Sequence, residues 1–541
     1  MGSAQEIALR LTPLKEVYYT HDTTFDFNPK GHRETNYVLL GIAFLILFIA
    51  GINFTNLTTS LIPLRLKTIN THRVLGCSIY KLQAISLIES IVICLISYIL
   101  ALFIVNDLSY TPIANWVDAD IRLSQYKGLI LLTALIAILT GCLAGLYPAI
   151  RSTSYAPALV LKGSFGLSPK GKKVRVALIG FQYTVSIALI IVTLFMGLQN
   201  HFMTSSEQLG FNKDQVAIVN LTPEIYAKHK PQYIQKLKDY PGIEDVAFSV
   251  YELSKEDDMI DLEYARHEDK DVFFKVFYAS ENFLSVMDIQ VEEGRDFTRE
   301  DLNKAQSDYI INPAAERDFH LHPGDRFNDR TVLGVSKDFR FNSCRIASSP
   351  FVFALNNDIP NPKLVSYIRF NSKTNLQEAV AHVRETLKEI DPTFPFEISF
   401  YNTILNNLYQ KEQTLGKLIS LFGIMAILIS IVGVFGLVLF ETQYRRKEIG
   451  IRKINGATTG QILLMFNKTY IRIVSVCFII SIPIAWMGTQ QWLENFAYKT
   501  PLHLWVFIVA FLIILSVTIG TVTFRNWQAA NENPVNSVKS E

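Results

Sequence analysis

TQYRRKEIGIRKINGATTGQILLMF, residues 442–466, decides how the rest of the chain is arranged. It reads as a basic loop and short helix between two long apolar stretches, and Arg445, Arg446, Lys447, Arg452 and Lys453 make it too polar to sit in lipid. Connections rich in Lys and Arg stay on the cytoplasmic side of a membrane. Placing this one there orients every apolar stretch on either side of it.

Seven stretches are apolar over the roughly 20 residues a helix needs to cross a bilayer: about 37–62, 83–106, 128–149, 176–198, 415–440, 468–488 and 503–524. Basic residues concentrate in alternate connections, with four in 65–82 (Arg65, Lys67, Arg73, Lys81) and six in 150–175 (Arg151, Lys162, Lys170, Lys172, Lys173, Arg175). The other short connections, 107–127 and 489–502, are poor in them and face outward. An odd number of spans puts the termini on opposite sides, so the carboxy terminus is expected in the cytoplasm and residues 199–412 outside it.

Composition agrees with a membrane protein. In 541 residues, 49% are hydrophobic and 36 are Phe, too apolar and aromatic for a soluble enzyme of this length. The 51 basic and 49 acidic residues nearly cancel, which gives no support to nucleic-acid binding. Cys94, Cys142 and Cys477 lie in apolar stretches, Cys77 in a basic connection and Cys344 alone in the hydrophilic block, so no disulfide framework is implied.

Within 199–412, runs such as 272–278 (VFFKVFY), 307–312 (SDYIIN), 331–335 (TVLGV), 364–370 (LVSYIRF) and 396–401 (FEISFY) read as strands between helical patterns, which predicts an α/β domain. Its clearest helix is 375–390, where Leu376, Val380, Val383, Leu387 and Ile390 make an apolar face behind a Thr374/Gln377 capping box. Residues 401–417 are expected to continue as a helix straight into the fifth span. The fold class is therefore an α-helical membrane protein with about seven transmembrane helices and one large α/β extracytoplasmic domain.

The chain also repeats itself. LRLKTINTHRVLGCS (64–78) lies over YRRKEIGIRKINGAT (444–458) at an offset of 380, and Pro157 to Lys162 lies over Pro534 to Lys539 at an offset of 377. Spans 1–3 then correspond to spans 5–7. The expected domains are an extracytoplasmic tail of an incomplete first-repeat domain (1–36), a first three-helix half (37–150), a cytoplasmic linker (151–175), the fourth span (176–198), the α/β domain (199–412) and a second three-helix half (413–541). The other reading of 1–36 is a short amino-terminal arm.

KEIGIRKINGAT (447–458), the span with Ile482-Pro483, WLENFAYKTPLHLW (492–505) and the closing AANENPVNSVKSE resemble the FtsX-like/MacB-like permeases of ATP-binding cassette transporters. FNKDQV (211–216), EEGRDF (292–297) and VLGVSKDFRFNS (332–343) are similar too, so the resemblance covers most of 172–541 and is to the two-repeat type. It implies that Arg445, Arg446, Lys447, Glu448, Ile449, Gly450, Arg452, Lys453 and Gly456 couple the permease to a separate cytosolic ATPase. The first half has Thr68-Ile69-Asn70-Thr71-His72 where the second has Glu448-Ile449-Gly450-Ile451-Arg452, which leaves Lys67, Arg73 and Gly76 as a weaker coupling set.

The chemistry of 442–466 suits docking. Ile449, Ile451 and Ile454 offer apolar knobs, and Arg452 and Lys453 offer charge-assisted hydrogen bonds to a partner's acidic or carbonyl groups. Gly450 and Gly456 permit close approach or a tight turn. The competing reading is that the charges only fix topology and touch lipid headgroups. Its occurrence in two halves favours docking.

The expected function is a non-enzymatic permease subunit that turns ATP hydrolysis by a separate protein into motion of a periplasmic domain, for export or extraction of a drug, peptide, lipid or lipoprotein. The alternative is a signalling or regulatory protein that passes the state of an ATPase to a periplasmic partner. No cofactor is expected in this chain, with ATP and Mg in the partner. Expected partners are the ATPase, membrane lipid, a second permease copy or a first-half fragment, and a periplasmic or outer-membrane component. The location implied is the bacterial inner membrane. Gly166 to Lys173 has Lys where a phosphate-binding loop needs Ser or Thr for magnesium, and no strand precedes it. His320 and His322 find no companion ligand in the sequence, so the turn before Pro323-Gly324 accounts for them and no metal is expected. Glu256, Asp257, Asp258, Asp261 and Glu263 read as a solvated acidic loop.

Overall fold

Long apolar stretches become long helices, and the first of them runs past its apolar window until Gly76 stops it. The computed structural model describes residues 12–19, 33–112, 114, 122–154, 169–205, 209–254, 261–268, 270–304, 306–340, 342–355 and 364–531. The structure holds α1 (Arg33–Val74), α2 (Ile79–Leu108), α3 (Lys127–Thr153) and α4 (Pro169–Thr204), and later α10 (Gln410–Tyr444), α11 (Arg446–Ile454), α12 (Thr459–Leu493) and α13 (Leu504–Asn531). Among the described residues seven helices are long and apolar enough to cross a membrane. The basic connection at 65–82 is not a loop: α1 carries the helix through it to Val74. Two units emerge, one of Met1–Met196, Thr414–Gln490 and Leu502–Glu541, the other of Gly197–Gln413 with Gln491–Pro501.

In the helical unit, polar groups face neighbouring helices, because lipid offers them no partner. The Asn53 amide on α1 donates to the Ile429 carbonyl of α10 at 2.6 Å, and Thr55 donates to Ala144 of α3 at 2.8 Å. A methyl group on Gly433 would overlap the Asn53 amide, and one on Gly436 would overlap Leu57. Gly433 follows Asn53 by 380 positions, the offset of the repeat. Gly141 and Gly145 of α3 likewise admit Cys94 and Ser90 of α2. Glu89 on α2 is matched by Arg65 of α1 in a two-pronged pair at 2.7 and 2.8 Å. In the second half, Thr442 bonds Asn526 at 2.8 Å and Asn467 bonds Thr523 at 2.9 Å.

The second unit is an α/β domain built on β1 (Val216–Leu221), β2 (Ile243–Ser249), β3 (Asp261–His267), β4 (Lys270–Ala279), β5 (Val291–Gly294), β6 (Tyr309–Ile311), β7 (Arg326–Phe327), β8 (Arg330–Ser336), β9 (Phe351–Leu355), β10 (Leu364–Phe370) and β11 (Ile398–Phe400). The sheet runs β11-β1-β10-β2-β4-β9-β6-β8-β5, with β3 on β4 and β7 on β8. Pairing is antiparallel except between β4 and β9 and between β6 and β8. β10 shows why the sheet is covered on both faces. Val365 and Tyr367 pack with Phe277, Phe283 and Tyr401, while Ile368 and Phe370 meet α5 (Lys230–Lys238) and α8 (Leu376–Ile390) through Leu237, Val383 and Leu387. Short helices α6 (Phe283–Met287) and α7 (Pro313–Phe319) complete the layers.

Two local expectations are corrected. The cap of α8 is Asn375, whose side chain accepts from Gln377 N–H, because Thr374 donates its hydroxyl to the Gly242 carbonyl. The helix into span 5 is broken between α9 (Tyr401–Leu408) and α10. Tyr409, at φ −106° and ψ 13°, is buried there, and its hydroxyl accepts from Cys344 N–H at 3.2 Å. Anchoring that ring in the core outweighs continuing the helix. The repeat pair beginning at Pro157 and Pro534, residues 166–168 at the start of the phosphate-loop-like run, and acidic Glu256 to Asp258 lie outside the described residues.

Candidate functional site

The repeated basic segment folds the same way in both halves, and glycine is the reason. After α1, Leu75 N–H donates to Thr71, Gly76 to Arg73 and Cys77 to His72, and Gly76 sits at φ +92°. After α11, Asn455 donates to Ile451, Gly456 to Lys453 and Ala457 to Arg452, with Gly456 at φ +87°. Each bond in one turn has its counterpart 380 positions away. This is the left-handed helix terminus that satisfies the last carbonyls, and side chains with a Cβ adopt it at a cost of about 1–2 kcal/mol. The next helix starts alike too: Ser78 accepts from Lys81 N–H and Thr458 from Gln461 N–H, both at 3.3 Å. Thr458 N–H also donates to the Gln461 side chain at 3.1 Å, closing a capping box.

The two turns differ in what leads into them. α1 is unbroken, whereas α10 ends at Tyr444 and α11 restarts beyond Arg445, at φ −92° and ψ 11°. Arg445 is turned inward. It reaches Glu441 at 2.9 Å and Glu448 at 3.9 Å and lies over the Phe466 ring. Glu441 also accepts from Tyr470 at 3.3 Å, so these side chains tie α10, α11 and α12 together.

The expected docking residues divide by exposure. Ile449 is 4% exposed and Gly450 is buried, so neither is a surface contact, and Ile449 as a knob is corrected to a core residue. Ile451 and Ile454, at 55% and 65% exposed, are free to meet a partner. Arg452 is exposed and pairs with Glu448 at 2.8 Å, Lys453 is half-buried, and Gly456 is exposed. The side chains of Arg446, Lys447 and Lys67 lie outside the described residues. In the first turn Arg73 donates to the Thr153 carbonyl of α3 at 3.1 Å, which makes it an internal strut, and Gly76 is exposed. Val74, Leu75 and Tyr80 are exposed around it, an apolar tip that charge counting passed over.

A second constellation, in the α/β unit, escaped the sequence reading. Gln199, buried near the end of α4, donates to the Tyr498 carbonyl at 3.0 Å and accepts from Thr500 N–H at 2.8 Å. Tyr498 N–H donates to Cys344, and its hydroxyl accepts from Ser348 N–H at 3.1 Å. Arg340 stacks on the Tyr498 ring at 4.1 Å. Nearby, Arg345 pairs with Glu412 at 2.7 Å over the Phe496 ring. The connection between the last two spans is thus clamped into the α/β unit. WLENFAYKTPLHLW carried that signal, but as a family pattern with no chemistry attached.

Comparison with known proteins fits this organisation. The family model described as FtsX-like permease C-terminal matches residues 40–157 and again 420–534. The matched segments begin 380 positions apart and end 377 apart, the offsets of the internal repeat. Curated relatives include macrolide export ATP-binding/permease proteins MacB from Aggregatibacter actinomycetemcomitans (25% identical over 212 residues, 37% of this chain and 32% of the relative) and Neisseria gonorrhoeae (25% over 223 residues, 39% and 34%). The chain spans about a third of the length of these relatives. Similar solved structures include the periplasmic region of MacB from Actinobacillus actinomycetemcomitans (15% identity, TM-score 0.28, 37% of this chain and 94% of that one). Another is the extracellular domain of the transporter YknZ from Gram-positive bacteria (17%, TM-score 0.26, 34% and 99%). Two segments matching the FtsX-like permease model, and among the described residues seven helices able to span a bilayer besides an α/β domain, mark the chain as similar to the FtsX-like/MacB-like permeases.

Proposed function

We propose that this chain is the membrane subunit of an ATP-driven transporter, with a separate cytosolic ATPase docking on the tip formed by α11 and the turn at Gly456. One observation carries the reading: an exposed apolar and basic tip, Ile451, Arg452 and Ile454, held by a glycine-terminated turn that recurs bond for bond at Gly76. Protein interfaces favour such a mixture, apolar groups supplying area and Arg supplying direction. Glu441, Arg445 and Glu448 brace the tip against α10 and α12, so a push on it is passed to the spans. The α/β unit would then change posture through residues 197–205 and 409–413, its covalent links to spans 4 and 5. In this reading it works on the periplasmic side of a bacterial inner membrane, with the carboxy terminus in the cytoplasm, and handles a drug, peptide, lipid or lipoprotein. The positive-inside bias of 442–466 supports that orientation.

Nucleotide-dependent docking supplies what a two-state motion needs, a partner that binds one posture more tightly than the other. The test is Arg452→Glu with Lys453→Glu in the membrane complex. Insertion should be normal and stimulation of the ATPase lost. Coupled hydrolysis at the normal rate in that variant would exclude the α11 tip as the docking site.

A further inference from the structure

We infer that Glu293, Glu316 and His322 form a site for a borderline divalent metal ion of the Zn2+ class. Their ligand atoms all lie within 4.8 Å of one another. His322 Nδ1 and Glu316 Oε1 are 3.6 Å apart, close to the roughly 3.4 Å edge of a tetrahedron with zinc-to-ligand distances near 2.1 Å. Three protein ligands leave a fourth position for water.

Each ligand is aimed by its backbone. Glu293 stands on β5, at the end of the sheet, where the pairing with β8 slips between Val291 and Glu293. Such a bulge redirects a side chain. Glu316 projects from α7, whose first turn is capped by Asn312. His320, left-handed at φ +53°, ends that helix, and Leu321 N–H donates back to Glu316. His322 N–H then donates to the Asp325 carboxylate at 2.7 Å, and Asp325 N–H to the His322 carbonyl at 3.0 Å. His320 is the histidine next to His322 in the sequence, but the turn brings the two glutamates to His322 instead.

Charge adds an independent reason. Neither Glu293 nor Glu316 is paired with Lys or Arg among the described residues. Arg317 is turned to Asp318 at 3.1 Å and Arg295 to Asp301 at 2.7 Å. Two carboxylates converging on one imidazole, with no cation between them, favour a divalent ion. The imidazole selects against Ca2+ and Mg2+, which prefer an all-oxygen shell. Bound metal would fasten the terminal strand β5 to α7.

The experiment is Zn2+ titration of the full-length protein in detergent after chelator treatment, read as bound metal per chain and as the thermal midpoint. One Zn2+ per chain is expected, with a midpoint raised by at least about 2 °C that chelator reverses and excess Ca2+ leaves in place. His322→Ala and Glu316→Gln should each weaken binding at least tenfold, while His320→Ala leaves it unchanged. All three positions are at or near the surface, so the metal-free midpoint should match the parent and separate lost binding from misfolding. Unchanged Zn2+ affinity in His322→Ala, displacement by Ca2+, or no stoichiometric binding by the parent would each overturn the site.

Discussion

Gln199 holds Tyr498 by its main chain: the side-chain amide donates to the Tyr498 carbonyl at 3.0 Å while its oxygen takes the N–H of Thr500 at 2.8 Å. One fully buried side chain thus satisfies two backbone groups of the connection between the last two spans. Gln199→Leu strands both, at about 1–3 kcal/mol for each buried group left without a partner. Gln199→Glu keeps an acceptor for Thr500 but turns a carboxylate oxygen onto the Tyr498 carbonyl, so its loss should shrink as pH falls and the carboxyl takes up a proton. Hydrogen exchange of the Thr500 amide and the thermal midpoint are the readouts. Protection unchanged in Gln199→Leu would mean the connection is held by its ring contacts alone.

Gly76 and Gly456 should be equivalent for stability and unequal for coupling. Their φ values, +92° and +87°, impose the same penalty on an alanine, about 1–2 kcal/mol. Thermal midpoints of Gly76→Ala and Gly456→Ala are therefore expected to fall together. Stimulation of the proposed partner ATPase should fall further in Gly456→Ala, because Arg452 is exposed where the first half has His72, and Arg73 is turned inward onto the Thr153 carbonyl. Equal losses of stimulation would make the two turns equivalent docking points.

Asp301 gives the α/β unit an acid sensitivity. The Arg295 guanidinium, bonded to both carboxylate oxygens at 2.7 and 2.9 Å, holds that carboxyl well below its usual range, with the Thr298 N–H and Lys304 adding to the effect. A folded-state value below the unfolded one near about 3.9 means the stabilisation is complete above about pH 4 and is lost as pH falls further. Asp301→Asn should cost about 1–3 kcal/mol at pH 7. Its thermal midpoint should then fall less steeply than the parent's between about pH 4 and pH 2. Parallel pH profiles would show that Asp301 is not the titrating group.

Gly433→Ala forces its new methyl into the Asn53 amide, and a core without slack loses about 1–3 kcal/mol to such overpacking. Asn53→Ala alone forfeits the bond to Ile429, worth about 0.6–2 kcal/mol between membrane helices. Together the two changes should cost less than their sum, since truncating the amide makes room for the methyl. Strict additivity in the double mutant, measured by thermal midpoint, would show that the two residues are not in contact.

Sequence alone carried the parts of this fold that rest on periodicity. The seven apolar stretches mark helices, and strands such as 364–370 declare themselves by alternation, Tyr367 to one face and Ile368 to the other. What hydropathy could not locate was the end of a helix, because α1 leaves its apolar window yet continues to Gly76, where backbone stereochemistry stops it. Exposure within the α11 tip was also hidden. Ile449, Ile451 and Ile454 are the same residue type two and three positions apart, and only the rotation of the helix separates the buried one from the other two. Contacts between residues far apart in the chain, Gln199 with Tyr498 or Glu293 with His322, leave no local pattern to read.

Asn53 and Gly433 occupy matching places in the two repeats and pack against each other, as counterparts do on a two-fold axis. Two identical subunits meeting on such an axis must put the same residue on both sides, amide against amide or void against void. Within one polypeptide each side evolves separately, and here a bulky polar group is seated in the space its twin gave up. The bond from Asn53 to Ile429 is made from one repeat to the other, where a strictly symmetric homodimer, whose subunits share one sequence, would have to make it twice or not at all.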